Sequence, residues 1–214
     1  MPLEPRRSLS SLTAFVEAWL PPPPARVLEV GCGSGKLTRL LAGKGFDMTG
    51  LDPEAPEGDQ FVRATLEDYE APVPFDGAVA IRSLHHVHQL GRALDNLRDS
   101  LRPGARLVLF EFAVEHVDDG ARRWAAEHGI GRELDEANLA CAAVIRLSAL
   151  RAALGERFRL LYDEPCAYLA SELGRGDLVA DEEAAIANGT LRPVGARIVY
   201  ERGESATISP PSSS

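Results

Sequence analysis

Cysteine occurs only three times in 214 residues, as Cys32, Cys141 and Cys166, with no CxxC spacing among them. Three thiols cannot all pair, so a disulfide framework is excluded as the basis of the fold, and no zinc-type spacing is present. No metal is expected, and a reducing compartment fits best. Lysine is scarcer still: of 23 basic residues only Lys36 and Lys44 are lysine, and the arginines are scattered rather than clustered. Against 32 acidic residues this leaves a formal net charge of -9, a surface field that repels polyanions. Basic runs interleaved with aromatics are missing, so nucleic acid is not an expected partner.

A clear export signal is missing too. The segment "PRRSLSSLTAFVEAWL" carries a twin arginine, but Glu17 interrupts its apolar stretch and no small-residue cleavage site follows before "PPPP". Cytoplasmic location is therefore expected, with no membrane partner. What the chain does have is an ordinary globular balance, 45% hydrophobic and 26% charged, which suits one folded domain rather than a disordered chain.

Leu9, Leu12, Phe15, Val16 and Leu20 recur at helical spacing, with Ser8, Ser10 or Ser11 as N-cap, and predict an amphipathic helix over residues 8–20. Pro21 to Pro24 stop it and form a stiff spacer, so residues 1–24 are a helix and a linker. From Arg26 strand-like and helix-like segments alternate: "RVLEV", a helix over 36–44, "FDMTGLD", "QFVRA", "FDGAVAIRS", a helix over 88–102, and "ARLVLFEF". That alternation predicts an α/β fold, a mostly parallel sheet with helices on both faces. Pro103 and Gly104 are expected to end the helix before the next strand. Residues 117–154 read as helical again, "FRLLYDEPCAYL" and "GARIVYER" as two further strands, and 204–214 as a disordered tail. The main domain is expected over 25–203.

The central feature is "VLEVGCGSG", residues 27–35, where an apolar strand runs into Gly31, Gly33 and Gly35. A strand, a glycine turn and a helix bring several backbone N–H groups and the positive end of a helix to one point at the carboxyl edge of a parallel sheet. Spacing narrows the ligand. A nucleoside-triphosphate loop needs glycine where Val30 stands and Ser or Thr where Leu37 stands. A dinucleotide turn needs its third glycine where Lys36 stands, which also disfavours a nicotinamide-dependent oxidoreductase.

"EVGCGSG", an acid followed by G-x-G-x-G, resembles the first motif of class I S-adenosylmethionine-dependent methyltransferases of the small-molecule type. "GLDPE", "RATLEDYE", "FDGAVAIRSLHHV" and "LRDSLRPGARLVLFEF" resemble the family's later segments in the same order, over roughly residues 25–112. The resemblance implies a seven-stranded, mostly parallel, doubly wound Rossmann-like sheet with helical additions over the active-site edge, and S-adenosyl-L-methionine as cofactor. It further implies cofactor contacts from Glu29, Gly31, Cys32, Gly33, Gly35, Asp52, Pro53, Leu66, Glu67, Arg82 and Ser83. Asp52 would take the ribose hydroxyls and Leu66 would cover the adenine, with Glu67 or Asp68 accepting from its amine. Two plainer roles stay open: Glu29 as the acid that fixes the turn, and Asp52 as an Asx-turn residue before Pro53. Cys32 is read as a small side chain rather than a nucleophile.

A sulfonium methyl is already activated, so a general base is needed only when the nucleophile carries a tightly held proton. His85, His86 and His88 follow the fourth strand, and His85 or His86 is the candidate catalytic base, which favours an oxygen acceptor over nitrogen, sulfur or carbon. Glu111 and His116 are second-line candidates. The Asn/Asp-Pro-Pro-aromatic tetrapeptide of enzymes acting on bases or glutamine is replaced by "IRSL", which argues against those substrates. A small molecule is the expected acceptor, handled by a monomer or homodimer. Its pocket is expected from the N-terminal helix and the segments 113–154 and 170–192, with Trp19, Trp124, Tyr168 and Leu173 as candidate walls. The alternative is an S-adenosylmethionine-binding partner or regulatory protein without catalysis.

Overall fold

The computed structural model describes residues 12–134 and 144–203. Apolar runs bounded by glycine and proline form the strands β1 (Arg26–Val30), β2 (Asp47–Leu51), β3 (Phe61–Val62), β4 (Phe75–Ile81), β5 (Leu101–Phe112), β6 (Arg159–Cys166) and β7 (Gly195–Glu201). They make one seven-stranded sheet in the order β3-β2-β1-β4-β5-β7-β6. The β1–β2, β1–β4, β2–β3 and β4–β5 pairs are parallel, whereas β7 runs antiparallel to both β5 and β6. The fold class expected from the sequence is the one found.

Helices α1 (Leu12–Trp19), α2 (Lys36–Ala42), α3 (Leu90–Asp99), α4 (Asp119–Glu127), α5 (Leu147–Gly155), α6 (Leu169–Glu172) and α7 (Val179–Ala187) surround it. Alternate side chains of the strands point to opposite faces. Leu28, Ala78, Leu107 and Leu109 meet Leu94 of α3 and Leu150 of α5 in one core layer. Val27, Val79 and Val108 meet Phe15 and Val16 of α1 and Leu41 of α2 in the other. A third cluster joins Phe110 and Phe112 at the end of β5 to Trp124 of α4 and Leu169 of α6.

Several boundaries differ from the reading of the sequence. The caps proposed for α1, Ser8 to Ser11, lie outside the described residues, as do 135–143 and the 204–214 tail. β3 keeps only Phe61–Val62 of "QFVRA". Pro103 and Gly104 do not separate α3 from β5: they lie inside the strand, where pairing shifts from Phe75↔Leu101 to Gly77↔Arg106. Gly104 takes φ 78° there, the conformation a bulge in a strand needs. Within 117–154 the described residues are helical over α4, 131–134 and α5, with a turn at 128–130.

Candidate functional site

The strand order reverses between β1 and β4, and at such a point in a doubly wound sheet the loops leaving the carboxyl ends diverge and open a crevice. Gly31 follows β1, Asp52 follows β2 and Arg82–Ser83 follow β4. The glycine turn is tied down from β2, since Leu51 O accepts from Gly31 N (2.8 Å) and Cys32 N (3.1 Å). Gly31, Gly33 and Gly35 all take positive φ, at 71°, 48° and 72°. A Cβ on Gly31 would sit 2.2 Å from the Ser83 Cβ, so this glycine is required for β1 and β4 to close on each other; a Cβ on Gly33 would meet nothing within 4 Å. Gly33 thus presents bare backbone to open space, the geometry of a cradle.

A cavity of about 230 Å³ opens beside this turn. Of the residues expected to touch a cofactor, Gly31, Asp52, Pro53, Leu66, Glu67, Arg82 and Ser83 line it, together with His86. Val87 and His88 line it as well and were not expected to. Glu29, Cys32, Gly33, Gly35 and His85 lie outside the lining. So does Asp68, which is exposed and bonded to Thr65 and Arg92.

Each carboxylate at the site has identifiable partners. Asp52 Oδ2 accepts from Gly33 N (2.9 Å) and Oδ1 from Glu54 N (2.8 Å). The Asx turn is therefore real, and it coexists with a second bond that holds the glycine loop. Glu67 is buried; desolvation alone would raise its pKa, but N–H groups of Gln89 and His88 reverse this and hold it below the usual carboxylate range. Asn96 fixes the same segment by donating to the Leu66 and Glu67 carbonyls.

Glu29 points away from the crevice into the α2 side of the sheet. It is 4% exposed and accepts from the Thr38 hydroxyl of α2. Burial pushes its carboxyl from 4.5 up to about 7; bonds from Thr38 oppose this and the Asp52 charge adds to it. Burial, with Glu29 and Asp52 nearby, also drives the Cys32 thiol up to about 12, which removes it as a nucleophile.

The two adjacent histidines part company. His85 is buried, with Nδ1 2.5 Å from Glu111 Oε2. Glu111 is fully buried and its Oε1 also accepts from Leu84 N (2.9 Å) and Ser83 N (3.2 Å). A carboxylate already accepting backbone N–H groups can also accept a hydrogen bond from Nδ1–H, so His85 and Glu111 form a bracket that sets the loop after β4. His86 faces the cavity, and burial, then the neighbouring His85, lower its pKa. Of the second-line candidates, Glu111 belongs to this bracket, and His116 Nδ1 lies 2.9 Å from the Pro193 carbonyl, at a loop. Among the described residues no group of three or more His, Cys, Asp or Glu can hold a metal ion, and no helix is long and apolar enough to cross a membrane.

A larger cavity of about 500 Å³ lies at the same sheet edge on the α1 side, between the ends of β5, β6 and β7 and helices α6 and α7. The expected aromatic walls do not line it. Tyr168 is stacked on Phe112 at 4.9 Å, Trp124 on His128 at 4.3 Å, and Trp19 packs on Tyr162; Leu173 packs against the Phe110–Trp124 cluster. These rings serve the core, where large flat side chains gain most from burial.

Comparison with known proteins agrees with this geometry. Residues 4–157 match the family described as "Methyltransferase domain". An uncharacterized methyltransferase of Mycobacterium tuberculosis is 36% identical over 130 residues, 55% of this chain and 51% of that protein. The ubiquinone biosynthesis O-methyltransferase of Xylella fastidiosa is 32% identical over 111 residues, 44% and 45% of the two chains. The chain thus spans about half the length of the curated relatives it matches. Among solved structures, an S-adenosylmethionine-dependent methyltransferase from Mesorhizobium loti superposes with a TM-score of 0.60 at 20% identity, over 87% of this chain and 95% of that one. With the glycine turn, the reversed strand order and a family match over residues 4–157 in agreement, the chain belongs to the methyltransferase-domain family.

Proposed function

We propose that the protein transfers a methyl group from S-adenosylmethionine to a small-molecule nucleophile, with oxygen favoured over nitrogen, sulfur or carbon. The observation that carries the reading is the convergence of the glycine turn, Asp52 and the Leu66–Glu67 pair on one cavity at the point where strand order reverses. The cavity's chemistry fits this cofactor. Apolar Val30, Leu51, Leu66 and Val87 suit a flat ring system, while carboxylates at the rim suit hydroxyl and amine edges. Bare backbone at Gly33 leaves room that a side chain would fill.

When bound, S-adenosylmethionine supplies an activated methyl: the acceptor's lone pair bonds to the methyl carbon while the carbon–sulfur bond breaks and its electron pair returns to sulfur. Asp52 holds the ribose hydroxyls through lone pairs not used by Gly33 and Glu54. Glu67 accepts from the adenine amine and Leu66 covers the ring. Ser83 and Gly31 close the wall toward β4. His86, kept neutral near pH 7 by its lowered pKa, takes the proton an acceptor hydroxyl must lose, which is why oxygen is favoured. His85 does not touch the cavity and acts through Glu111 as a positioning residue. The domain runs over 25–203, with 113–154 and 170–192 around the acceptor side; it works in the cytoplasm as a monomer or homodimer, without nucleic acid.

Calorimetry with S-adenosylhomocysteine and a screen of small-molecule acceptors for its release test the proposal. Binding together with turnover is expected. Binding without turnover on any acceptor indicates a cofactor-binding partner protein, and absence of binding overturns the reading.

A further inference from the structure

Arg82 is the one described residue that lines both cavities. It takes φ 56°, a left-handed backbone conformation that residues other than glycine seldom adopt. Its N–H donates to Phe110 O (2.8 Å) and its Nη1 to Glu172 Oε2 (2.6 Å). Arg82 is thus fixed where the two cavities adjoin.

The larger cavity is mostly apolar, walled by Leu12, Phe110, Pro165, Val179 and Ile186. Its polar groups differ in what they have left to offer. Glu182 is fully buried and consumed, accepting from Tyr168 N (2.7 Å), Leu169 N (3.0 Å) and Ala170 N (2.8 Å). Arg82 is committed to Glu172. Arg197 stands opposite Glu164 across the β6–β7 pair, with Nη1 3.8 Å from Glu164 Oε2. That separation is too long for a hydrogen bond, so the guanidinium at the cavity wall keeps N–H donors for a ligand oxygen.

The charges around it decide which oxygen. Glu164 and Glu183 also line the cavity, and neither arginine is free of a carboxylate neighbour, so an anionic ligand would meet net repulsion. Resting on the proposed methyl transfer, we propose that this cavity holds the methyl acceptor. We further propose that the acceptor is a neutral, largely aromatic or alicyclic molecule, with a carbonyl oxygen for the Arg197 guanidinium and a hydroxyl directed past Arg82.

Calorimetry on the full chain saturated with S-adenosylhomocysteine tests this with three probes: the neutral ketone hydroxyacetonaphthone, the anion hydroxynaphthoate, and naphthol, which lacks the carbonyl. The ketone is expected to bind about tenfold more tightly than either of the others, the worth of one buried hydrogen bond. Arg197→Met removes the preference over naphthol, and Ile186→Trp, which fills the cavity, abolishes ketone binding; S-adenosylhomocysteine affinity stays unchanged in both variants and reports that each is folded. Tightest binding by hydroxynaphthoate, no binding by any probe to the cofactor-loaded chain, or ketone binding that survives Ile186→Trp overturns the inference while leaving the proposed methyl transfer standing. Failure of S-adenosylhomocysteine to bind the wild-type chain overturns both.

Discussion

Glu29→Gln should make the free protein more stable at neutral and alkaline pH. The carboxyl is buried beneath the glycine turn, and burial raises its pKa from 4.5 to about 7. Between those values the unfolded chain has released the proton while the folded chain still holds it. The folded state therefore binds more protons, and stability falls as pH rises through the window. Below about pH 4.5 both states are protonated and nothing is lost; above about pH 7 both are ionised and the full penalty applies. Its upper bound is about 3 kcal/mol, at about 1.4 kcal/mol per pH unit.

Glutamine keeps an acceptor for the Thr38 hydroxyl and carries no charge, so it removes the penalty with little change in packing. Urea unfolding of wild type and variant across the pH range isolates this group, because every other titration cancels in the difference. The variant should gain about 1 kcal/mol near pH 5, about 2 kcal/mol near pH 6 and about 3 kcal/mol above pH 7.5. A difference that does not change with pH, or a variant less stable throughout, refutes the reasoning. A charge kept at that cost invites a cationic partner, and S-adenosylhomocysteine affinity of the same variant tells whether the ammonium of the ligand is that partner or whether Glu29 only fixes the turn.

Asp52→Ala should weaken S-adenosylhomocysteine binding at least about tenfold and also lower stability by about 1 to 2 kcal/mol, since the bonds to Gly33 and Glu54 are lost; calorimetry showing unchanged affinity would remove it from the site. Gly33→Val should abolish that binding in a folded protein, because a branched residue is strained at φ 48° and enters open space beside the turn; crystals of the variant with product in place would contradict this. With a methyl acceptor in hand, His86→Ala should reduce kcat by about 100-fold and flatten its fall on the acid side of the pH profile. An unchanged profile would mean that water takes the proton. Glu182→Ala removes the acceptor of three buried N–H groups, those of Tyr168, Leu169 and Ala170 at the start of α6, and should cost about 3 kcal/mol in urea unfolding; a loss under about 1 kcal/mol would show the cap to be dispensable.

The parallel half of the sheet was legible because each strand is an apolar run with its own punctuation, and the glycine turn carries its function in consecutive residues. Pro103 and Gly104 misled for a physical reason: the positive φ that ends a helix also builds a bulge, and only the pairing of β4 with β5 tells them apart. The two histidines illustrate a finer limit. In a tight turn one residue of phase decides whether a ring faces the cavity or a buried carboxylate, and the partner that decides it, Glu111, lies 26 residues beyond His85. Glu29 was ambiguous in the same way, its partner Thr38 sitting on a helix whose rotation the sequence does not state.

The same distinction separates the two cavities. The cavity proposed for the cofactor is lined by segments that follow β1, β2, β3 and β4, each adjacent to its own strand, so local patterns announce it. The larger cavity takes one side from α1, another from α7 and its charges from β6, β7, α7 and the loop after β4. Arg197 and Glu164 become partners only because antiparallel pairing sets them opposite each other, and the strands' alternation could have exposed that pair had the register been known. Alternation alone does not reveal the register between strands separated by two helices. A methyl donor common to many enzymes can be met by a short contiguous pattern, whereas an acceptor particular to one enzyme is met by residues that only the finished fold brings together. That is the physical reason to test the acceptor at Arg197 and Ile186 rather than at the glycine turn.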